Sequence, residues 1–161
     1  MIVISDTSPL NYLILIECID VLPALYGQVI IPDGVLAELQ RDNTPQVVKE
    51  WIAARPGWLE IRQAKMQASN ALSMLGVGER QAISLAQELK AAAIIIDEER
   101  GRKEARRLGL SVIGILGVLR DAAERELIAL PAALERLRRT NFRVSEAIIQ
   151  SLLLRDAERN R

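Results

Sequence analysis

The chain has 161 residues, with 21 Lys+Arg against 21 Asp+Glu, one cysteine and no histidine. A chain of this length suits one domain that buries roughly two-thirds of its unfolded surface, so no disulfide staple is needed. Without histidine, Ser-His-Asp and Cys-His hydrolysis, histidine-based ribonuclease chemistry and His-ligated zinc are excluded, and one cysteine cannot build a thiolate zinc site.

Short strand-like runs alternate with helical patterns, which predicts an α/β domain with a largely parallel sheet. Met1 to Ser5 reads as a strand stopped by Asp6-Thr7-Ser8-Pro9. Ser before Pro is a helix start, so a helix is expected from Pro9 to about Cys18, with Ser8 as its cap and the lone Cys18 buried and inert. Gln28 to Ile31 is the next strand. Asp33 can cap a helix from Gly34 to about Arg41, and Thr44-Pro45 opens another to about Ala54. Arg55-Pro56-Gly57 ends it, Trp58 to Ile61 is extended, and Gln63 to Ser73 reads as an exposed helix. Gly76 to Gly78 precedes a strong helix, Glu79 to Lys90, whose Ala82, Ile83, Ala86 and Leu89 share a face. Ala92 to Ile96 is apolar on both faces, as a central parallel strand should be. A helix from Glu98 to Leu108, a strand from Leu110 to Ile113, and helices from about Leu116 to Arg125, Pro131 to Arg139 and Val144 to Arg159 complete one domain over 1–161, with the helices at about 131–159 part of it. The apolar runs fall short of the ~20 residues that span a bilayer, and the N-terminus has no basic leader, so a cytoplasmic protein is expected.

The zero net charge conceals a split. Residues 1–99 carry 7 basic and 13 acidic side chains, a net of −6, and residues 100–161 carry 14 basic and 8 acidic, a net of +6. Two readings fit this asymmetry. One is an acidic site beside a basic, phosphate-holding surface; the other is solvated helix faces with i,i+4 pairs such as Glu99–Lys103 and Glu135–Arg139.

Four acids are poorly explained by helix solvation alone. Asp6 follows the first strand, and with Ser8 placed as the cap it lies free at the strand's carboxyl end. Glu38 is flanked by Val35 and Leu39, which turn it toward the protein. Glu79 opens the helix after Gly78, and Asp97 ends the apolar strand before Glu98 and Glu99. In parallel α/β sheets, ligands bind beyond the carboxyl ends of strands, where helix N-termini also gather. Four carboxylates brought together there repel one another unless a divalent cation compensates them. Mg2+ or Mn2+ suits such hard oxygen ligands, and Mg2+ takes only one or two carboxylates directly, acting on the rest through water.

The series Asp6 in VISDTSPLNYL, Glu38 in IIPDGVLAELQ, Glu79 in LGVGERQAISLA and Asp97 in AAIIIDEERGRKEARRLGL, followed by VIGILGVL and NFRVS, resembles the PIN-domain nucleases, in particular a prokaryotic PIN-like branch related to VapC-type toxins. The similarity covers nearly the whole chain. It implies a three-layer α/β/α fold with a central parallel sheet of four to five strands, Mg2+- or Mn2+-dependent cleavage of single-stranded RNA, homodimers and, for toxins, neutralisation by a small antitoxin protein. By position, Asp6, Glu38, Glu79 and Asp97 match the family's catalytic and metal-binding acids. Glu79 stands where Asp is frequent, and Glu98 or Glu99 is the candidate for a further acid. Thr7 and Ser8 match hydroxyl residues that would orient Asp6. Arg100 and Arg102, on the helix after Asp97, are placed to grip RNA.

Other acidic α/β sites fit less well. A receiver domain wants paired acids after its first strand and a Lys after its last, and a haloacid-dehalogenase-like phosphatase wants Asp at both ends of DTS, where position 8 is Ser. There is no Gly-x-Gly-x-x-Gly, P-loop or helix-turn-helix pattern. The remaining rival is a catalytically inactive PIN-like interaction module.

Overall fold

A computed structural model describes residues 1–65 and 75–160. Five short strands, β1 (Val3–Ser5), β2 (Val29–Pro32), β3 (Leu59–Arg62), β4 (Ala93–Ile95) and β5 (Val112–Ile113), form one sheet in the order β3-β2-β1-β4-β5. All four pairings are parallel. Among the described residues nine helices surround it: α1 (Thr7–Leu15), α2 (Val21–Tyr26), α3 (Asp33–Leu39), α4 (Gln46–Ala53), α5 (Val77–Glu88), α6 (Glu99–Arg107), α7 (Ile115–Glu124), α8 (Leu130–Arg138) and α9 (Glu146–Arg159).

The middle of the sheet, β1, β2 and β4, is buried on both sides because these strands are apolar at consecutive positions. Val3, Val29, Ile31 and Ile95 point into a large core with α1–α4 and α7–α9, whereas Ile4, Ile30, Ile94 and Ile96 point the other way, against α5 and α6. This period-2 division of β-branched residues creates the three layers. Ile4, Ile31 and Ile94 are among the largest fully buried side chains, each worth roughly 1.5–3 kcal/mol of burial. The expected parallel sheet and α/β/α layering are therefore present, with five strands.

Several boundaries differ from the sequence reading. The first helix begins at Thr7, so Asp6 and not Ser8 occupies the N-cap position, and it makes no side-chain cap bond. That helix also stops at Leu15, because Glu17 takes φ 61° and the amides of Glu17 and Cys18 turn back to Ile14 and Leu13. The turn frees Val21–Tyr26 to form α2, a helix the apolar run had concealed. Lys90 and Glu126 end α5 and α7 in the same left-handed conformation, with φ 51° and 60°, whereas α6 ends at Gly109, the residue suited to it. Pro32 holds the N-cap position of α3 and Asp33 is already helical. Glu98 holds that position at α6, and Ser145, whose hydroxyl accepts from the Ile148 N–H, caps α9. Residues 63–65 are not helical, and the remainder of the helix expected over Gln63 to Ser73 lies outside the described residues. Of the two i,i+4 pairs expected, Glu135–Arg139 is formed, at 3.7 Å.

Candidate active site

The sheet order reverses direction between β1 and β4, which makes their carboxyl ends the topological switch point. Asp6 and Asp97 stand there. The Asp6 N–H donates to the Ile95 carbonyl at 2.9 Å, extending the ladder by one residue, so both acids are carried at the adjacent ends of paired central strands.

The elements deliver the other two acids by capping one another. Glu38, near the end of α3, reaches the first turn of α5: its Oε1 accepts from the Gly78 N–H at 2.9 Å, and its Oε2 takes a short hydrogen bond from the Thr7 hydroxyl. In return Gln81 of α5 accepts from the Gly34 N–H at the start of α3, at 2.7 Å. Each helix thus satisfies a free amide at the other's N-terminus. Both contacts cross a glycine. A Cβ at Gly78 would lie 2.5 Å from Glu38 Oε1, and one at Gly34 would lie 2.6 Å from Gln81 Oε1. Glu79 sits in the third position of α5 and accepts a hydrogen bond from the Gly76 backbone, half of a capping box. Its Oε2 would stand 2.7 Å from a Cβ at Gly101 of α6. Asp97 caps a helix other than its own, with Oδ1 accepting from the Ile115 N–H of α7 at 2.9 Å.

After these bonds, three carboxylate oxygens remain buried with no hydrogen-bond partner: Asp6 Oδ1, Glu79 Oε2 and Asp97 Oδ2. The energetic consequence is large, because an ionised carboxylate taken from water needs donors or cations. Asp6 is 4% exposed. Burial, with added repulsion from Glu79, Glu38 and Asp97, pushes its carboxyl up to about 7 despite a hydrogen bond from the Thr7 backbone. Glu79 is raised by burial and by Glu98 and Glu38. Asp97 is raised by burial, against the opposing effects of the Ile115 N–H and Arg102.

The site residues expected from the sequence are thus brought together to different degrees. Asp6, Glu38, Glu79 and Asp97 face one another, and Glu98 adds its charge beside Glu79, while Glu99 turns into a separate groove with Asp97 and Arg102. The Thr7 hydroxyl serves Glu38 rather than Asp6. Ser8, half-buried, makes no side-chain hydrogen bond among the described residues. Arg102 is tied down, donating to the Ile96 carbonyl at 3.2 Å and packing on Gly114 beside Asp97. Arg100 is exposed. Sequence reasoning missed Gln81, Gly78 and Gly101. Only Gly101 left a trace: a glycine inside a helix costs about 1 kcal/mol against alanine and implies that something approaches its backbone.

These residues suit a divalent cation. Three oxygens lack donors, all are hard ligands, and their mutual repulsion needs positive charge. Among the described residues no three of the acids are spaced to grip one ion directly, so the fit is to an ion held by one or two carboxylates and reached by the others through water.

Comparison with known proteins agrees with this architecture. The DUF3368 family model, a PIN domain, matches residues 2–158. No protein of curated function matches the sequence. A solved PilT N-terminus domain protein from the hyperthermophilic archaeon Sulfolobus solfataricus superposes with a TM-score of 0.52, covering 90% of this chain and 100% of the other at 17% identity, a likeness of fold. With a parallel five-stranded sheet, acids at its switch point and a family match across almost its whole length, the chain belongs to the PIN-domain family.

Proposed function

We propose that this PIN domain is a Mg2+- or Mn2+-dependent endoribonuclease, with Asp6, Glu38, Glu79 and Asp97 as its acidic centre. The observation that carries this reading is the set of buried, unpartnered oxygens on Asp6, Glu79 and Asp97 at the switch point. One or two of those three acids would hold the ion directly and the rest through water, and Glu98 adds negative charge beside Glu79. Once bound, the ion would supply the charge that activates water and stabilises a phosphoryl group during hydrolysis. Glu38 is committed to Thr7 and Gly78 and has a positioning role, locking α1, α3 and α5 around the centre. Arg102 is fixed on the Ile96 carbonyl, which sets its positive charge near Asp97, and Arg100 stands exposed on the first turn of α6 where a phosphate backbone can reach it.

The finer biological assignment is a cytoplasmic, homodimeric toxin restrained by an antitoxin protein. It rests on the resemblance carried by DTSPL, GERQAI, DEERGR and NFRVS. A short reading frame beside this one whose co-expression relieves growth arrest would support it, and growth unaffected by expression of the protein would count against it.

The test of the chemistry is cleavage of single-stranded RNA with Mn2+, with chelator, and in Asp6→Asn. Activity in the first condition alone is expected, with the variant folded and at background. Unchanged metal-dependent cleavage by Asp6→Asn would remove the assignment. One observation favours a second reading, an inactive interaction module: no three of the described acids are spaced to share an ion directly. A protein whose melting temperature does not respond to millimolar Mn2+ would decide for it.

A further inference from the structure

The segment Asn141–Ser145, NFRVS, takes no part in the carboxylate cluster, yet its residues Phe142–Ser145 line a groove of about 550 Å3 that Asp97 also lines. Tyr12 holds this wall in place. Its hydroxyl donates to Asn141 Oδ1 at 2.6 Å, and its ring meets Phe142 edge-on with centroids 5.0 Å apart. Ser145 anchors the far end as the cap of α9. The segment is therefore fixed at both ends although it belongs to no helix or strand. Arg143, between the anchors, is exposed, and no acid among the described residues lies within ion-pair distance of it.

The middle of α7 contributes Arg120 to the same groove, and α6 contributes Arg102. Arg120 leans on Asp121 at 3.3 Å in an exposed pair, the kind worth at most about 1 kcal/mol and easily exchanged. Gly117, one turn before Arg120 on the same helix, also lines the groove. Three arginines and an aromatic ring thus line a groove whose acids are Asp97 and Glu99.

Cationic groups that follow a backbone, combined with an aromatic face on which a base can stack, are what single-stranded nucleic acid requires. The volume lies within the ~300–1,000 Å3 range of sites that enclose small ligands. Whatever fills the groove also abuts Asp97. We infer that this groove seats the RNA nucleotide adjoining the scissile phosphodiester, with Arg143 and Arg120 holding its phosphate and Phe142 meeting its base. The inference rests on the ribonuclease reading and extends it to a substrate subsite.

The test measures binding of a short fluorescent single-stranded oligoribonucleotide, with Ca2+ in place of the catalytic ion, across a series of salt concentrations. Arg143→Ala and Arg120→Ala should each weaken binding by about tenfold and reduce the salt slope by about one. Phe142→Leu should weaken binding without changing the slope, and Arg55→Ala, just beyond α4 and outside the groove, should behave as wild type. All four variants should keep the wild-type rise in melting temperature with Mn2+, which separates substrate contact from the acidic centre. Wild-type binding in every groove variant would overturn the subsite and leave the ribonuclease reading intact. A wild-type protein that responds to Mn2+ but binds no RNA would overturn both. Variants that lose an acidic peptide but not RNA would give the groove to a protein partner.

Discussion

Asp6 is held in a place where its charge is poorly tolerated. Its carboxyl lies near pH 7 in the folded chain and near its ordinary 3.8 when unfolded, so between those values the folded state retains a proton that the unfolded state has lost. Folding stability from this group is fully present below the unfolded value and is lost as pH rises through the folded one, on the order of 2–4 kcal/mol in total. Glu79 and Asp97 are shifted in the same direction. Metal-free protein should therefore melt at a higher temperature near pH 5.5 than at pH 8, and Asp6→Asn should flatten much of that slope. A melting temperature that climbs from pH 5.5 to 8 in chelator would contradict this account. At this scale the sequence was legible where an acid ends a strand: Asp6 and Asp97 stand out because no helix face accounts for them. It was not legible where one side chain serves another element. Nothing local links Thr7 to Glu38, or Asp97 to the amide of Ile115, because those bonds depend on how separate elements pack.

Helices α3 and α5 set the spacing of the acidic centre through their mutual clasp, Glu38 on Gly78 and Gln81 on Gly34. Gly78→Ala should separate them, since the new methyl would lie only 2.5 Å from Glu38 Oε1. The expected cost is about 1–3 kcal/mol of stability, accompanied by a loss of RNA cleavage larger than that stability change explains. Chemical denaturation and kinetic assays on the same preparation check both, and a variant of wild-type stability and activity would show that the clasp does not matter. The helices and strands themselves were largely legible, because the β-branched runs and the apolar face of α5 are strong periodic signals. The stops were harder. Glu17 turns the chain in a conformation usually left to glycine, so the end of α1 and the start of α2 carried no recognisable mark.

Taken whole, the molecule turns its charge asymmetry into geometry. The acid-rich part supplies Asp6, Glu38, Glu79 and Asp97, and the arginine-rich part supplies Arg102, Arg120 and Arg143; the two meet at Asp97. The parallel sheet makes this possible, since each crossover returns the next strand end to the same edge. It also scatters the acids along the chain, from position 6 to position 97, so an unfolded chain has no centre to offer an ion. A divalent cation should consequently act as a folding ligand: above its dissociation constant, each tenfold increase in Mn2+ should add about 1.4 kcal/mol to unfolding free energy. Denaturation midpoints that ignore Mn2+ would contradict this. If the proposed metal dependence holds, the same scattering means that a cell poor in Mg2+ or Mn2+ would hold this protein nearer its unfolding threshold, so that metal supply would govern how much of it survives proteolysis as well as how fast it works.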